Sequence, residues 1–148
     1  MALPAGPSTF QSVTLGKYLI YKDEQHGPLH DVLQCSGTDS ESPDATFQVV
    51  VDSKDPSLVN IKSSNGNYWR RADDKNTWIV SDAVAIHEDH DSWDSTLFRP
   101  VKVDDDPENN RYRFQHVQLG NYIQPHTDTY SFDAHDLLNA FQGATNDD

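Results

Sequence analysis

Phe114-Gln115-His116-Val117-Gln118-Leu119-Gly120 repeats a pattern met near the start of the chain, where the sequence reads Phe10-Gln11-Ser12-Val13-Thr14-Leu15-Gly16. The two segments agree at Phe, Gln, Val, Leu and Gly. Each runs into a tyrosine two residues after its glycine, at Tyr18 and Tyr122. Alternating apolar residues before a glycine are typical of a strand that enters a tight turn. The sequence therefore contains an internal repeat built from strands.

A third copy lies between these two. Gly66-Asn67-Tyr68-Trp69 repeats the glycine and tyrosine, and its Tyr68 lies 50 residues after Tyr18 and 54 before Tyr122. Strand-like runs that begin at Phe47 and Phe98 follow the first two tyrosines by 29 and 30 residues. Short, evenly spaced strands with loops between them indicate a closed sheet. We predict an all-β fold, a β-trefoil with three quasi-repeats of about 50 residues.

The third repeat is shortened. Only 19 residues separate Tyr122 from Phe141, and residues 136–141 read equally well as a helical turn or a strand. We assign residues 1–9 to an N-terminal extension, 10–143 to a single β-trefoil domain and 144–148 to an acidic tail. Leu137, Leu138 and Phe141 are one candidate exposed contact patch for a dimer.

Composition limits the class of partner. The chain has 148 residues, 11 basic and 24 acidic, with a net charge of −13. This charge disfavours nucleic acid and an anionic membrane, because both are bound through clustered Lys and Arg. Neutral sugars stay compatible, since hydrogen bonds and ring faces recognise them.

Features of the sequence also bear on its compartment. Cys35 is the single cysteine, so no internal disulfide can form. The N-terminal residues lack the pattern of a signal peptide, and no run approaches the roughly 20 apolar residues of a membrane span. We expect a cytoplasmic or nucleocytoplasmic protein.

The order of several short motifs resembles a known family. The motifs include Leu58-Val59-Asn60-Ile61-Lys62-Ser63, Trp78-Ile79, Ser92-Trp93 and Thr96-Leu97-Phe98-Arg99-Pro100. Together with the segment 116–122 they are similar to the agglutinin domain of the plant amaranthin-type lectins. The resemblance implies a β-trefoil without catalytic activity or a metal. It also implies a homodimer that recognises the T-antigen disaccharide or its N-acetylgalactosamine unit.

The chain differs from that family at identifiable places. The best-known member joins two such domains in one chain, whereas this chain has one. The family's sugar-contacting loop has Asn, a polar residue, Tyr and Trp where this sequence has Lys75-Asn76-Thr77-Trp78. Lys75 thus replaces an amide and Thr77 an aromatic ring, while Trp78 is retained.

This loop supplies the candidate sugar-binding residues. Sugar sites combine an aromatic face with polar groups that read hydroxyls, and Lys75, Asn76, Thr77 and Trp78 offer both. Two interpretations of Trp78 are open, a ligand contact or a core residue, because the places taken as equivalent, Val32-Leu33 and Tyr130–Phe132, are also apolar. His126 lies in a loop that could form a second sugar site or a polar surface.

Other motifs are weaker. The run His87-Glu88-Asp89-His90-Asp91 could bind a divalent ion, but a solvated acidic loop is the favoured interpretation. No nucleophile elbow, phosphate-binding loop or paired cysteine nucleophile is evident. We therefore predict no enzyme activity, no catalytic or metal-binding residues and no cofactor. The repeated tyrosines are predicted to pack, with their rings in the core.

We predict a lectin domain whose partners are glycans or glycoproteins, with galactose-type or N-acetylgalactosamine-type ligands. The alternative is a β-trefoil protein–protein interaction module that has lost sugar binding.

Overall fold

A computed structural model describes residues 5–13, 15–103, 111–126 and 136–140. In these ranges the chain forms strands and one short 3₁₀ helix, Pro43–Ala45. The strands are β1 Gly6–Ser8, β2 Tyr18–His26, β3 Leu29–Gly37, β4 Phe47–Val51, β5 Val59–Lys62, β6 Tyr68–Arg71, β7 Ile79–Ala83, β8 Phe98–Lys102, β9 Tyr112–His116, β10 Gln124–Pro125 and β11 Leu138–Asn139. No helix within them is long and apolar enough to cross a membrane.

The strands follow one pattern in each lobe. In the first lobe β1 pairs with β4 and β2 with β3; in the second, β5 pairs with β8 and β6 with β7. The third lobe shows β9 and the hairpin of β10 and β11. All pairs are antiparallel, and β4–β5 and β8–β9 join successive lobes. The architecture is a β-trefoil, as the sequence predicts.

The repeated glycines form similar turns. Gly16, Gly66 and Gly120 have φ angles of 70°, 84° and 75°. Each N–H donates to the carbonyl of the residue that starts its turn, Ser12, Ser63 or His116, over 2.8, 3.0 and 2.8 Å. The turn of the second lobe is one residue shorter than the other two. A positive φ strains residues that carry a Cβ, so this turn favours glycine. The repeat in the sequence therefore encodes a repeated turn geometry.

The tyrosines of the repeat do not fill the core. Tyr18, Tyr68 and Tyr122 are half-buried, whereas the residues that follow them, Leu19, Trp69 and Ile123, are buried. Cations lie against two of the tyrosine rings, at 5.9 Å for Lys62 Nζ and 5.8 Å for Arg113 Cζ. Because side chains alternate along a strand, burial of the neighbour turns each tyrosine outward. The prediction that the rings lie in the core is wrong.

Aromatic rings occupy the centre of the barrel. Phe47 and Phe98 have no exposed surface and Trp69 has 1%. Trp69 contacts both phenylalanine rings edge-on, with centroids 5.4 and 6.0 Å apart. Phe10 packs on Phe114 at 5.3 Å, which brings the first and third lobes together. These perpendicular contacts are favourable ring geometries.

The three hairpins meet in a triangle at the cap. One residue of each hairpin bridges the next hairpin, and the pairs are Val32–Val80, Trp78–Asn139 and Leu137–Gln34. The intervening residues Leu33, Ile79 and Leu138 all point into the main core. In the third lobe, the residues equivalent to Val32-Leu33 are therefore Leu137-Leu138. Tyr130 and Phe132, which the sequence suggested as the equivalent place, lie outside the described residues.

This arrangement changes two expectations for the third lobe. Leu138–Asn139 is a strand, so the alternative of a helical turn does not apply there. Leu137 and Leu138 are 2% and 5% exposed, so they cannot form an exposed dimer patch. Their neighbour Phe141 lies outside the described residues. Apolar side chains in the shortened lobe are needed to complete the core, which is why they are buried.

The N-terminal segment also differs from its assignment. Gly6–Ser8 pairs with Val49, Gln48 and Phe47 of β4, so part of the stretch assigned to an extension belongs to the sheet. A three-residue strand with a central proline gives little sequence signal for a strand. Proline is tolerated there because, among the described strands, β1 pairs with β4 alone and so lies at the edge of the sheet.

Candidate carbohydrate-binding site

The loop between β6 and β7 has a fixed turn. Asp73 Oδ1 accepts hydrogen bonds from the backbone N–H groups of Lys75 and Asn76, over 2.9 and 2.7 Å. The Asn76 amide nitrogen also lies 3.3 and 3.2 Å from the two Asp73 oxygens. Aspartate stabilises turns in this way by replacing backbone acceptors. Lys75 and Asn76 are thereby exposed at the tip of the loop.

A buried arginine supports the loop from below. Arg71 is 5% exposed, and its Nε and Nη2 donate to the Asn76 carbonyl over 3.1 and 2.7 Å. Its Nη1 donates to Gln118 Oε1 over 2.8 Å. Burial lowers the pKa of Arg71, although Asp73 and Asp74 act in the opposite direction. The guanidinium thus connects the loop to the turn between β9 and the third-lobe hairpin.

The base of the loop joins the third lobe directly. Thr77 Oγ1 donates to Asn139 Oδ1 over 2.5 Å, and the Ala140 N–H donates to the Thr77 carbonyl over 2.8 Å. Asn139 is 6% exposed. A short hydroxyl–amide bond in a partly buried setting restricts both partners. The second and third lobes are therefore coupled at this loop.

Trp78 and His126 lie together beneath the loop. Their rings are 4.9 Å apart and nearly perpendicular. Trp78 packs with Leu29, Val80 and Leu137 in the cap, and 3% of its surface is exposed. This burial agrees with the interpretation of Trp78 as a core residue. A direct sugar contact by Trp78 stays a prediction. His126 is half-buried, and its backbone N–H donates to the Leu137 carbonyl over 2.7 Å.

The predicted site residues therefore divide into two layers. Thr77, Trp78 and His126 lie at the junction of the second and third lobes, while Lys75 and Asn76 form an exposed tip. Sequence reasoning did not select Arg71, Gln118 or Asn139 as site residues. Arg71 lies in a strand and Gln118 is 47 positions away, so no local pattern connects them.

A family profile described as "Agglutinin domain" matches residues 2–145. The chain belongs to the agglutinin-domain family. This membership agrees with the resemblance to the amaranthin-type domain and supports a carbohydrate-binding lectin. Agglutinin domains and β-trefoils are generally non-catalytic. No curated protein matches the sequence significantly.

Solved structures share the fold of this agglutinin domain. One, described as "BEL beta-trefoil apo crystal form 3", has a TM-score of 0.63 and 14% identity over 94% of each chain. Another is a Caenorhabditis elegans protein of unknown function, with a TM-score of 0.63 and 11% identity over 91% of this chain and 84% of that one. At these identities the likeness concerns the fold alone.

The His87–Asp91 run of the agglutinin domain is engaged in its own loop. His87 Nδ1 lies 2.9 Å from Asp94 Oδ1, and Asp89 Oδ1 accepts the Asp91 N–H over 2.9 Å. The neighbouring Asp52 carboxylate, in the loop between β4 and β5, raises the pKa of Glu88. Within the described ranges no three His, Cys, Asp or Glu side chains are grouped to hold a metal ion.

Proposed function

We propose that this agglutinin domain binds a galacto-configured sugar, such as N-acetylgalactosamine or the T-antigen disaccharide, at the loop of residues 73–77. The observation that carries the proposal is the fixing of this loop to the third lobe through Thr77–Asn139 and Arg71–Gln118. A loop held in place before binding loses less conformational entropy when the ligand arrives.

The exposed tip has the groups that sugar hydroxyls require. Lys75 supplies an ammonium donor, and Asn76 supplies an amide whose nitrogen is directed by Asp73. His126 adds an imidazole at the lobe junction. Thr77 replaces the tyrosine of related loops and donates its hydroxyl inward, so an aromatic face near the tip must come from elsewhere. A second copy of the domain in a homodimer could provide it.

Titration calorimetry with the T-antigen disaccharide tests the proposal. We expect Asn76→Ala and Lys75→Ala each to weaken binding about fivefold to tenfold, because one or two hydrogen bonds to the sugar are lost. Lys54→Ala is the matched control, since Lys54 is an exposed lysine in the loop between β4 and β5. Absence of binding to every galacto-configured sugar on a glycan array would refute the specificity.

Sedimentation equilibrium, with and without the disaccharide, tests the homodimer. We expect a two-fold dimer whose dissociation constant falls when the sugar is present, because ligand shared between subunits stabilises the assembly. A monomer at all concentrations, with sugar binding intact, would contradict the dimer and leave the sugar site in place.

A further inference from the structure

A tryptophan in the loop between β7 and β8 has a different environment from the other two. Trp69 and Trp78 are 1% and 3% exposed, whereas Trp93 is half-buried. A large aromatic ring that is partly exposed to water is the usual platform for the apolar face of a pyranose. Packing in the hydrophobic core therefore does not account for the position of Trp93.

Arg70, one member of a charged pair on the β6–β7 hairpin, lies over this ring. Arg70 Cζ lies 5.9 Å from the Trp93 ring centroid, and Arg70 Nε donates to Asp82 Oδ1 over 2.7 Å. Both side chains keep about a third of their surface exposed, at 29% and 31%. Arg70 alternates with the buried Arg71 in β6, so this cluster lies on the outer face of the hairpin, away from the loop tip.

The loop that carries Trp93 is held in place. His87 Nδ1 contacts Asp94 Oδ1 at 2.9 Å, and Asp94 also accepts a hydrogen bond from the Ser92 hydroxyl. The backbone of His87 exchanges hydrogen bonds with Thr96, its N–H donating to Oγ1 and its carbonyl accepting from the Thr96 N–H, each over 2.9 Å. The cluster thus exists before any ligand binds.

Several polar atoms around Trp93 are available to a ligand. Within the described part of the chain, Arg70 uses only Nε for hydrogen bonding, and Asp82 only Oδ1. The Arg70 Nη groups can donate to hydroxyl oxygens, and Asp82 Oδ2 can accept from a hydroxyl. His87 contacts Asp94, next to Trp93 in the chain, through Nδ1, which leaves its Nε2 for a ligand. The pair Arg70–Asp82 combines opposite charges, so the cluster favours a neutral ligand.

We propose that Trp93, Arg70, Asp82 and His87 form a second sugar-binding site, on the outer face of the β6–β7 hairpin. It takes a neutral pyranoside with two adjacent hydroxyl groups, which stacks on Trp93 and is read by the free atoms of Arg70 and Asp82. The proposal rests on the lectin function of the family, and it is independent of the site at residues 73–77. Two sites on one domain would allow bivalent binding to branched glycans.

Proton–nitrogen NMR of the three tryptophan indoles tests this second site. Methyl β-galactoside, methyl α-glucoside and N-acetylgalactosamine are titrated into the whole chain, and Trp93→Phe assigns the Trp93 signal. We expect the Trp93 indole to shift with at least one sugar. Asp82→Ala should weaken that response at least fivefold, while Asp55→Ala, which removes an aspartate between β4 and β5 that is half-buried like Asp82, leaves it unchanged.

The two sites give distinguishable results. A shift of Trp93 that Asn76→Ala leaves intact supports the second site, whether or not the loop at 73–77 responds. Shifts confined to the Lys75–Trp78 loop would overturn the second site and leave the proposed function standing. No response from either region would overturn both. Thermal melting of Asp82→Ala confirms that its loss of binding does not reflect unfolding.

Discussion

His116 has no exposed surface and occupies the position that Ser12 and Ser63 hold in the other lobes. Its Nδ1 accepts a hydrogen bond from the Leu119 N–H over 3.2 Å, and its ring packs on Phe98. Burial, with a smaller contribution from the charge of Arg71, lowers the pKa of His116 to about 4. The imidazole is therefore neutral in the folded protein near pH 7.

A pH dependence of stability follows from this residue. The pKa of His116 is about 4 in the folded protein, against an ordinary value of 6.5. Between pH 4 and 6.5 the unfolded chain therefore binds the proton more readily than the folded protein. Stability is fully present above about pH 6.5 and falls as the pH drops toward 4, by roughly 2–4 kcal/mol for this group. Urea denaturation at a series of pH values measures the loss.

His116→Asn provides the comparison, because Asn Oδ1 can accept from the Leu119 N–H and does not titrate in this range. The variant is expected to be less stable near pH 7 but to lose less stability on acidification. Parallel pH profiles for the two proteins would show that His116 does not cause the dependence.

The repeated turn is the clearest case of an element set by one residue. A Cβ built on Gly66 meets no atom within 4 Å, so the cost of a side chain there comes from its φ of 84° alone. We expect Gly66→Ala to lower the unfolding free energy by roughly 1–2 kcal/mol and Gly66→Asn by less, because Asn tolerates this conformation better. Chemical denaturation distinguishes them; equal losses would point to a cause other than backbone strain.

The loop between β6 and β7 depends on a long-range contact. Arg71→Met removes three hydrogen bonds, to Asn76 and Gln118, and retains an apolar stem. We expect a loss of about 2–3 kcal/mol in stability and at least fivefold weaker binding of the T-antigen disaccharide. Arg99→Met is the control, because Arg99 makes one exposed hydrogen bond, to Ser57. Unchanged sugar affinity in Arg71→Met would show that the loop holds its shape without the guanidinium.

The net charge of the whole molecule, −13, makes salt dependence a way to distinguish neutral from charged ligands. A neutral sugar feels little of this field, so its dissociation constant should change less than about twofold between roughly 0.05 and 0.5 M NaCl. Calorimetry at both salt concentrations measures this. An affinity for an anionic glycan that exceeds that for neutral sugars would contradict a neutral ligand.

The sequence alone determined the β-trefoil, because the glycine turns and the strands around them repeat locally in each lobe. It also predicted the Lys75–Trp78 loop as the candidate sugar-binding site, on the pattern of polar residues beside an aromatic one. Short-range patterns can predict strands and turns because turn conformation and strand alternation depend on a few neighbouring residues.

Tertiary structure decided which face each side chain takes and which distant residues meet. The tyrosines of the repeat lie outside because Leu19, Trp69 and Ile123 fill the core. Asn139 meets Thr77, and Gln118 meets Arg71, across 62 and 47 positions. Such contacts arise when three hairpins close around a shared core, and that closure has no counterpart in the local sequence.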